Sequence, residues 1–107
     1  MLTLPIKKKW FDMILSGEKK EEYREIKPYY KSRFYTAGLV DRYGLPTISH
    51  AWIAFRNGYS ATSPAIEAKC TLDIKTGRPE WGAEPGKEYY VLSIETVVDL
   101  TKKIMVK

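Results

Sequence analysis

Apolar and polar residues alternate most regularly between Ile66 and Lys75. Ile66, Ala68, Cys70, Leu72 and Ile74 fall on one side, and Glu67, Lys69, Thr71, Asp73 and Lys75 on the other. This period of two predicts a half-buried strand. Leu2, Leu4 and Ile6 predict a short first strand. Ala51 to Phe55 is apolar on both faces and reads as a well-buried strand. Tyr89 to Val98 reads as another, and Lys103 to Val106 as a last one. Helical spacing occurs near the N-terminus. Trp10, Met13 and Ile14 share one face, Phe11 and Leu15 are an i,i+4 pair, and Gly17 fits just past the helix end. No Ser, Thr or Asp caps the start at Lys7 to Lys9. Pro28 opens a second helix at its first position, with Tyr30–Phe34 and Tyr29–Arg33 as i,i+4 pairs.

Residues 36–50 are rich in turn formers, and a loop runs from Gly77 to Gly86. Asn57-Gly58 is a turn signal, but residues 59–64 are polar and end in Pro64. Pairing of the strands on either side is therefore left open. The elements predict an α+β fold: a small barrel of five to six mostly antiparallel strands with two short helices. At 107 residues the chain forms a single domain, 1–107.

Composition narrows the function classes. Three Trp, eight Tyr and three Phe are incompatible with a disordered chain. No apolar run approaches a membrane span. The first residues lack the basic-then-apolar order of a leader peptide, so a cytoplasmic location without membrane contact is expected. One cysteine, Cys70, excludes an internal disulfide and a cysteine-based zinc site, and one histidine, His50, argues against a metal centre. No cofactor is expected, and the oligomeric state stays open between a monomer and a weak dimer. The net charge is +5. Residues 1–33 hold nine Lys/Arg against five Asp/Glu, and residues 34–107 hold nine against eight. A positive field concentrated in the first third suits RNA or a nucleotide phosphate, although such a charge also serves solubility alone.

Lys19 to Glu25 breaks the pattern. Taken as an extended segment, one side carries Lys20, Glu22 and Arg24, and the other Lys19, Glu21, Tyr23 and Glu25. Neither side can face an apolar core, so the segment either lines a polar cleft or is a solvated edge strand whose charges block aggregation. Glu22 and Arg24, two residues apart, project to one side of an extended chain. Arg24 offers a planar fork of donors for a phosphate or base edge, and Lys19 a compact cation.

Gly17-x-Lys19-x-x-Glu22-x-Arg24 matches the G-x-K-x-x-E-x-R signature of the ASCH domain family, a branch of the PUA-like barrels. The position after a short strand and an amphipathic helix, and the downstream RPEWGAEPGKEYYVLSI stretch, also resemble family members. The resemblance spans essentially the whole chain. It implies a PUA-like barrel that binds RNA or a nucleotide through the motif residues Gly17, Lys19, Glu22 and Arg24, with a role in RNA metabolism or regulation; Tyr23 joins them as a candidate because it sits inside the same polar segment. It also implies an alternative: a metal-independent hydrolase acting on RNA or a modified nucleoside, with Lys19 and Glu22 as catalytic residues. One enzymatic group of the family hydrolyses N4-acetylcytidine using a Lys-x-x-Thr pair. The Lys matches Lys19, but Glu22 stands at the Thr position and removes the hydroxyl nucleophile. Glu22 would then activate water while Lys19 stabilises the oxyanion. For a ribonuclease the sequence assigns no base. A third reading is a protein-interaction module with a solvated charged edge.

Other residues carry weaker expectations. Arg56, just after the buried strand, is a candidate to reach the cleft. Tyr23, Tyr59 and Trp81 are candidate stacking platforms for bases. Glu67 and Glu80 are candidate remote carboxylates. Lys7 to Lys9 reads as a solvated face able to extend a phosphate track. Trp10 and Trp52 read as core, Cys70 as a buried thiol, and His50 as a loop residue with no evident partner. If the cleft is open to water, Lys19→Ala and Arg24→Ala leave thermal stability nearly unchanged.

Overall fold

The computed structural model describes residues 1–100. Their chain order is β1 (Leu2–Ile6), α1 (Lys8–Ser16), β2 (Glu21–Arg24), α2 (Pro28–Thr36), β3 (Ala51–Asn57), β4 (Ala65–Thr76) and β5 (Glu88–Asp99). The expected strand at Lys103 to Val106 lies outside the described residues, among which there are five strands.

The strands form one curled, half-barrel sheet in the order β1-β3-β4-β5-β2. β1 runs parallel to β3 and every other pairing is antiparallel, giving an α+β fold with a mixed sheet. β3 and β4 do pair, across a loop whose base is closed by the Asn57 N–H on the Pro64 carbonyl at 2.9 Å. β4 and β5 form a long hairpin with a register shift at Lys69/Cys70. β1 and β2 are left as the two edges.

The alternation in β4 does what its period predicts. Ile66, Ala68, Cys70 and Leu72 are buried, and Glu67, Lys69 and Thr71 are half-buried. They meet Phe11 and Ile14 of α1, Phe34 of α2, Ile53 and Phe55 of β3 and Leu92 of β5 in one core. Leu15 is exposed although Phe11 is buried, so the second pair expected on α1 does not form a common face. No described helix is long and apolar enough to cross a membrane.

Candidate functional site

The charged segment is built from the end of α1. Gly17 closes the helix at φ +87°, a left-handed conformation that costs glycine little. Its N–H bonds the Ile14 carbonyl at 3.1 Å, and the Lys19 N–H bonds the Met13 carbonyl at 2.9 Å. The chain thus folds back over the helix terminus and turns Lys19 inward before β2 begins. β2 then hydrogen-bonds to β5, with Glu22 opposite Leu92.

Three ionisable tips converge here. Lys19 is 1% exposed and Glu22 6%. Lys19 Nζ donates to the Trp81 carbonyl at 2.6 Å and lies 3.2 Å from Glu22 Oε1. Arg24 Nη2 donates to Glu22 Oε2 at 2.7 Å and to the Pro5 carbonyl at 2.9 Å. Glu22 therefore bridges two cations, one on each carboxylate oxygen. The rings of Trp10 and Tyr23 stand 5.0 and 4.7 Å from Lys19 Nζ, and Tyr30 stands 5.8 Å from the Arg24 guanidinium. Burial pulls the Lys19 ammonium below its ordinary range; Glu22 opposes the shift, and Arg24 adds to it.

The loop between β4 and β5 forms the outer wall. Tyr23 Oη donates to Glu21 Oε1 at 2.8 Å and accepts the Arg78 N–H at 2.9 Å. Burial drives this phenol well above its usual range, and the Arg78 N–H opposes the shift only in part. The loop approaches so closely that two glycines are needed. A Cβ at Gly77 would lie 2.5 Å from the Tyr23 ring. One at Gly82, whose φ is +104°, would lie 3.0 Å from the Trp10 ring. The Glu84 N–H bonds Tyr89 Oη at 3.0 Å, tying the far end of the loop to β5.

Between this wall, the end of β1 and the start of α2 lies an open cleft of about 470 Å³. Glu22, Tyr23 and Arg24 line its floor. Lys7, Lys27 and Lys87 bring further cations, and Trp10, Tyr30 and Tyr89 bring aromatic walls. Lys27 Nζ stands 5.4 Å over the Tyr30 ring, and Lys87 pairs with Glu25 at 3.8 Å. Lys7 and Lys27 make no ion pair among the described residues. The cleft can accept an anion at its rim and a planar group against its rings.

The expected site residues thus fall into groups. Glu22, Tyr23 and Arg24 share the cleft. Lys19 lies behind them, its ammonium already bonded, and Gly17 shapes the turn without lining the cleft. β2 is an edge strand, yet its key charges are paired and buried rather than solvated. Lys19→Ala and Arg24→Ala are therefore both expected to cost stability, in contrast to the expectation from an open cleft. Arg56 lies elsewhere: it donates to the Ala61 and Ser63 carbonyls at 2.8 and 3.1 Å and lines a separate hollow with Tyr59. Tyr59 is almost fully exposed there.

Trp81 contributes its carbonyl to Lys19, and Arg78 stands 4.9 Å over its ring. Glu80 pairs loosely with Arg78 at 3.7 Å, and Glu67 sits on β4 opposite Ala54, so neither joins the cleft. Trp10 is half-buried and lines the cleft while touching the core. Trp52, expected in the core, is 40% exposed because its face of β3 lies outside the curl. His50 does have a partner, Glu95, at 3.0 Å on an exposed part of the sheet. Cys70 is buried, and burial pushes its thiol up to about 12. Among the described residues no three His, Cys, Asp or Glu side chains gather as metal ligands.

Sequence reasoning missed Lys27, Tyr30, Glu84, Lys87 and Tyr89 as cleft residues. Lys27 and Tyr30 follow the charged segment directly across Pro28, and that adjacency was the available signal. No family model, curated protein or solved structure matches the chain.

Proposed function

We propose that this protein binds RNA or a nucleotide in the cleft over Glu22, Tyr23 and Arg24, as a domain of the ASCH type within the PUA-like barrels. One observation carries the reading: a fixed Glu22–Arg24 pair forms the floor of a hollow rimmed by Lys7, Lys27 and Lys87 and walled by Trp10, Tyr30 and Tyr89. Cations at the rim fit phosphate oxygens, and the rings fit a base face. The match to G-x-K-x-x-E-x-R, and the half-barrel sheet that surrounds it, support the same reading.

The hydrolase alternative asks Lys19 to meet a developing oxyanion. In this geometry its ammonium is bonded to Trp81 and Glu22 and is closed off from the cleft. Binding is accordingly the reading preferred over turnover.

Fluorescence anisotropy with short RNA, at several salt concentrations, tests it. If about four phosphates are contacted, log K falls with log salt at a slope of about −3. Lys7→Ala and Lys27→Ala alter exposed side chains and Lys87→Ala a half-buried one paired loosely with Glu25, and all three leave the buried Lys19–Glu22–Arg24 pairs intact. Each is expected to weaken binding and to reduce the slope by about 0.7. Absence of binding at low salt to both RNA and nucleoside monophosphates refutes the proposal.

A further inference from the structure

α2 carries more surface than its packing requires. Of its nine residues, only Phe34 is buried and Tyr30 half-buried. Tyr29, Lys31, Arg33 and Tyr35 are exposed, and the helix contains no acidic residue. With Lys27 before it, the stretch 27–36 carries three cations and no anion. A helix that merely covers a core usually mixes both signs on its outer face.

The exposed rings and cations are ordered against one another. The Arg33 guanidinium lies 4.0 Å from the Tyr29 ring centroid, and Tyr29 meets Tyr30 edge-on at 5.0 Å. On the other flank, Pro28, Lys31, Ser32 and Tyr35 face the turn at Asp41 and Arg42 across a groove of about 410 Å³. Arg42 stands 5.1 Å over Tyr43, which is itself exposed. The single acid of this groove is turned into its own loop: Asp41 Oδ1 accepts the N–H groups of Tyr43 and Leu45 at 2.8 and 3.0 Å. The groove is left with two cations and a tyrosine platform.

Cleft and groove flank the same helix. Lys27 and Tyr30 line the cleft, and Pro28, Lys31, Ser32 and Tyr35 line the groove, so only the exposed side of α2, with Tyr29 and Arg33, separates the two. A helix of nine residues is about 14 Å long, which is enough to present several consecutive nucleotides with a cationic and aromatic surface.

We infer that the ligand is a single-stranded nucleic acid rather than a free nucleotide, with one nucleotide in the cleft and its neighbours crossing α2 into the groove formed by Lys31, Tyr35 and Arg42. The inference rests on the cleft reading above. Its chemistry is sequence-tolerant: bases stack on tyrosine faces, and phosphates meet Lys31, Arg33 and Arg42. An anionic membrane is a poorer fit. A helix lying in a lipid surface needs aliphatic or aromatic side chains on a continuous apolar face. On α2 the one purely hydrocarbon aromatic side chain, Phe34, is in the core.

The test compares ligands and variants of the whole chain. Anisotropy of a labelled ten-nucleotide uridine RNA, its thymidine DNA counterpart and a labelled uridine monophosphate is measured for the wild type, Tyr35→Ala, Arg42→Gln and Lys27→Ala. The expected result is tighter oligonucleotide than monophosphate binding. Tyr35→Ala should lose about five-fold or more for the oligonucleotides, with monophosphate affinity unchanged. Arg42→Gln should flatten the oligonucleotide salt slope by about 0.7. Lys27→Ala should weaken all three ligands. The RNA and DNA arms show which sugar is preferred; in either arm, binding tighter than that of the monophosphate and weakened by Tyr35→Ala and Arg42→Gln supports the inference. Oligonucleotide binding that falls with Lys27→Ala but ignores both Tyr35→Ala and Arg42→Gln overturns the α2 path while sparing the cleft. Loss of both readings together would show as no binding of any of the three ligands. Thermal melts of the three variants, all of exposed residues, are expected to match the wild type.

Discussion

Arg24 Nη2 donates to the carbonyl oxygen of Pro5 at 2.9 Å, and that bond joins β2 to β1, the two open edges of the sheet. Pro5 has no N–H to offer another strand, so this edge is ill suited to ordinary strand pairing. The half-barrel is thus fastened by a side chain where a backbone ladder is lacking. The same guanidinium group holds the Glu22 carboxylate at 2.7 Å, so closure of the fold and the floor of the cleft depend on one residue.

Arg24→Met is expected to lower stability by about 3 kcal/mol, because removal of one partner from a buried ion pair leaves its charge poorly compensated. Arg24→Lys should recover only part of the loss, since a compact ammonium cannot span Pro5, Glu22 and Tyr30 as a planar fork does. Urea unfolding followed by circular dichroism measures both. A wild-type midpoint in Arg24→Met would refute the fastening role.

Lys19 should make a contribution to stability that grows as the pH rises toward 10.5. Burial holds its ammonium below the ordinary 10.5 in the folded chain. Between that lowered value and 10.5 the unfolded chain binds more protons than the folded one, so raising the pH favours folding. Cys70, Tyr23 and Tyr90, raised by burial, contribute with the opposite sign, the thiol from about pH 9 and the phenols from about pH 10, where the unfolded groups ionise. Urea midpoints of the wild type and Lys19→Met, compared at a series of alkaline pH values below 10.5, isolate the Lys19 contribution, because Cys70, Tyr23 and Tyr90 are common to both chains. The wild-type midpoint is expected to gain on that of Lys19→Met as the pH rises, and parallel curves would contradict it.

The β4–β5 loop should be loosened by small changes at its seat. Gly77→Ala places a methyl group 2.5 Å from the Tyr23 ring and 2.7 Å from Ala83 Cβ. The overpacking should cost about 1–3 kcal/mol. Tyr23→Phe removes the acceptor for the Arg78 N–H and should cost about 1 kcal/mol. Amide exchange by NMR should show faster exchange at Arg78 in Tyr23→Phe. Unaltered protection there would mean that the phenol does not anchor the loop.

Cys70 should be inert toward thiol reagents in the folded protein. It is fully buried in the core, and burial pushes its thiol up to about 12. Labelling with a chromogenic disulfide near neutral pH should be slow until denaturant is added, then rapid. Fast labelling of the native chain would show that β4 opens readily.

Much of this architecture was legible in local pattern. The alternation from Ile66 to Leu72, the glycine stop at Gly17 and the proline start at Pro28 each depend on neighbours within a few residues, and each lies where its pattern placed it. Other placements were not local. Trp52 and Phe55 both belong to an apolar run, yet one faces outward and the other is in the core because the sheet curls to one side. Arg56 follows the same strand, but the fold of residues 58–64 captures its guanidinium before it can reach the cleft.

The amino-acid order alone determined the elements, and it marked Lys19, Glu22 and Arg24 as residues that an apolar core could not accept unpaired. Tertiary structure decided how that difficulty is resolved. Lys19 meets the carbonyl of Trp81, sixty-two residues away, and Arg24 meets the carbonyl of Pro5 on the opposite edge of the sheet. Main-chain carbonyls look alike at every position in a sequence. Only the curl of the sheet and the close seating of Gly77 and Gly82 select which of them come within hydrogen-bonding distance.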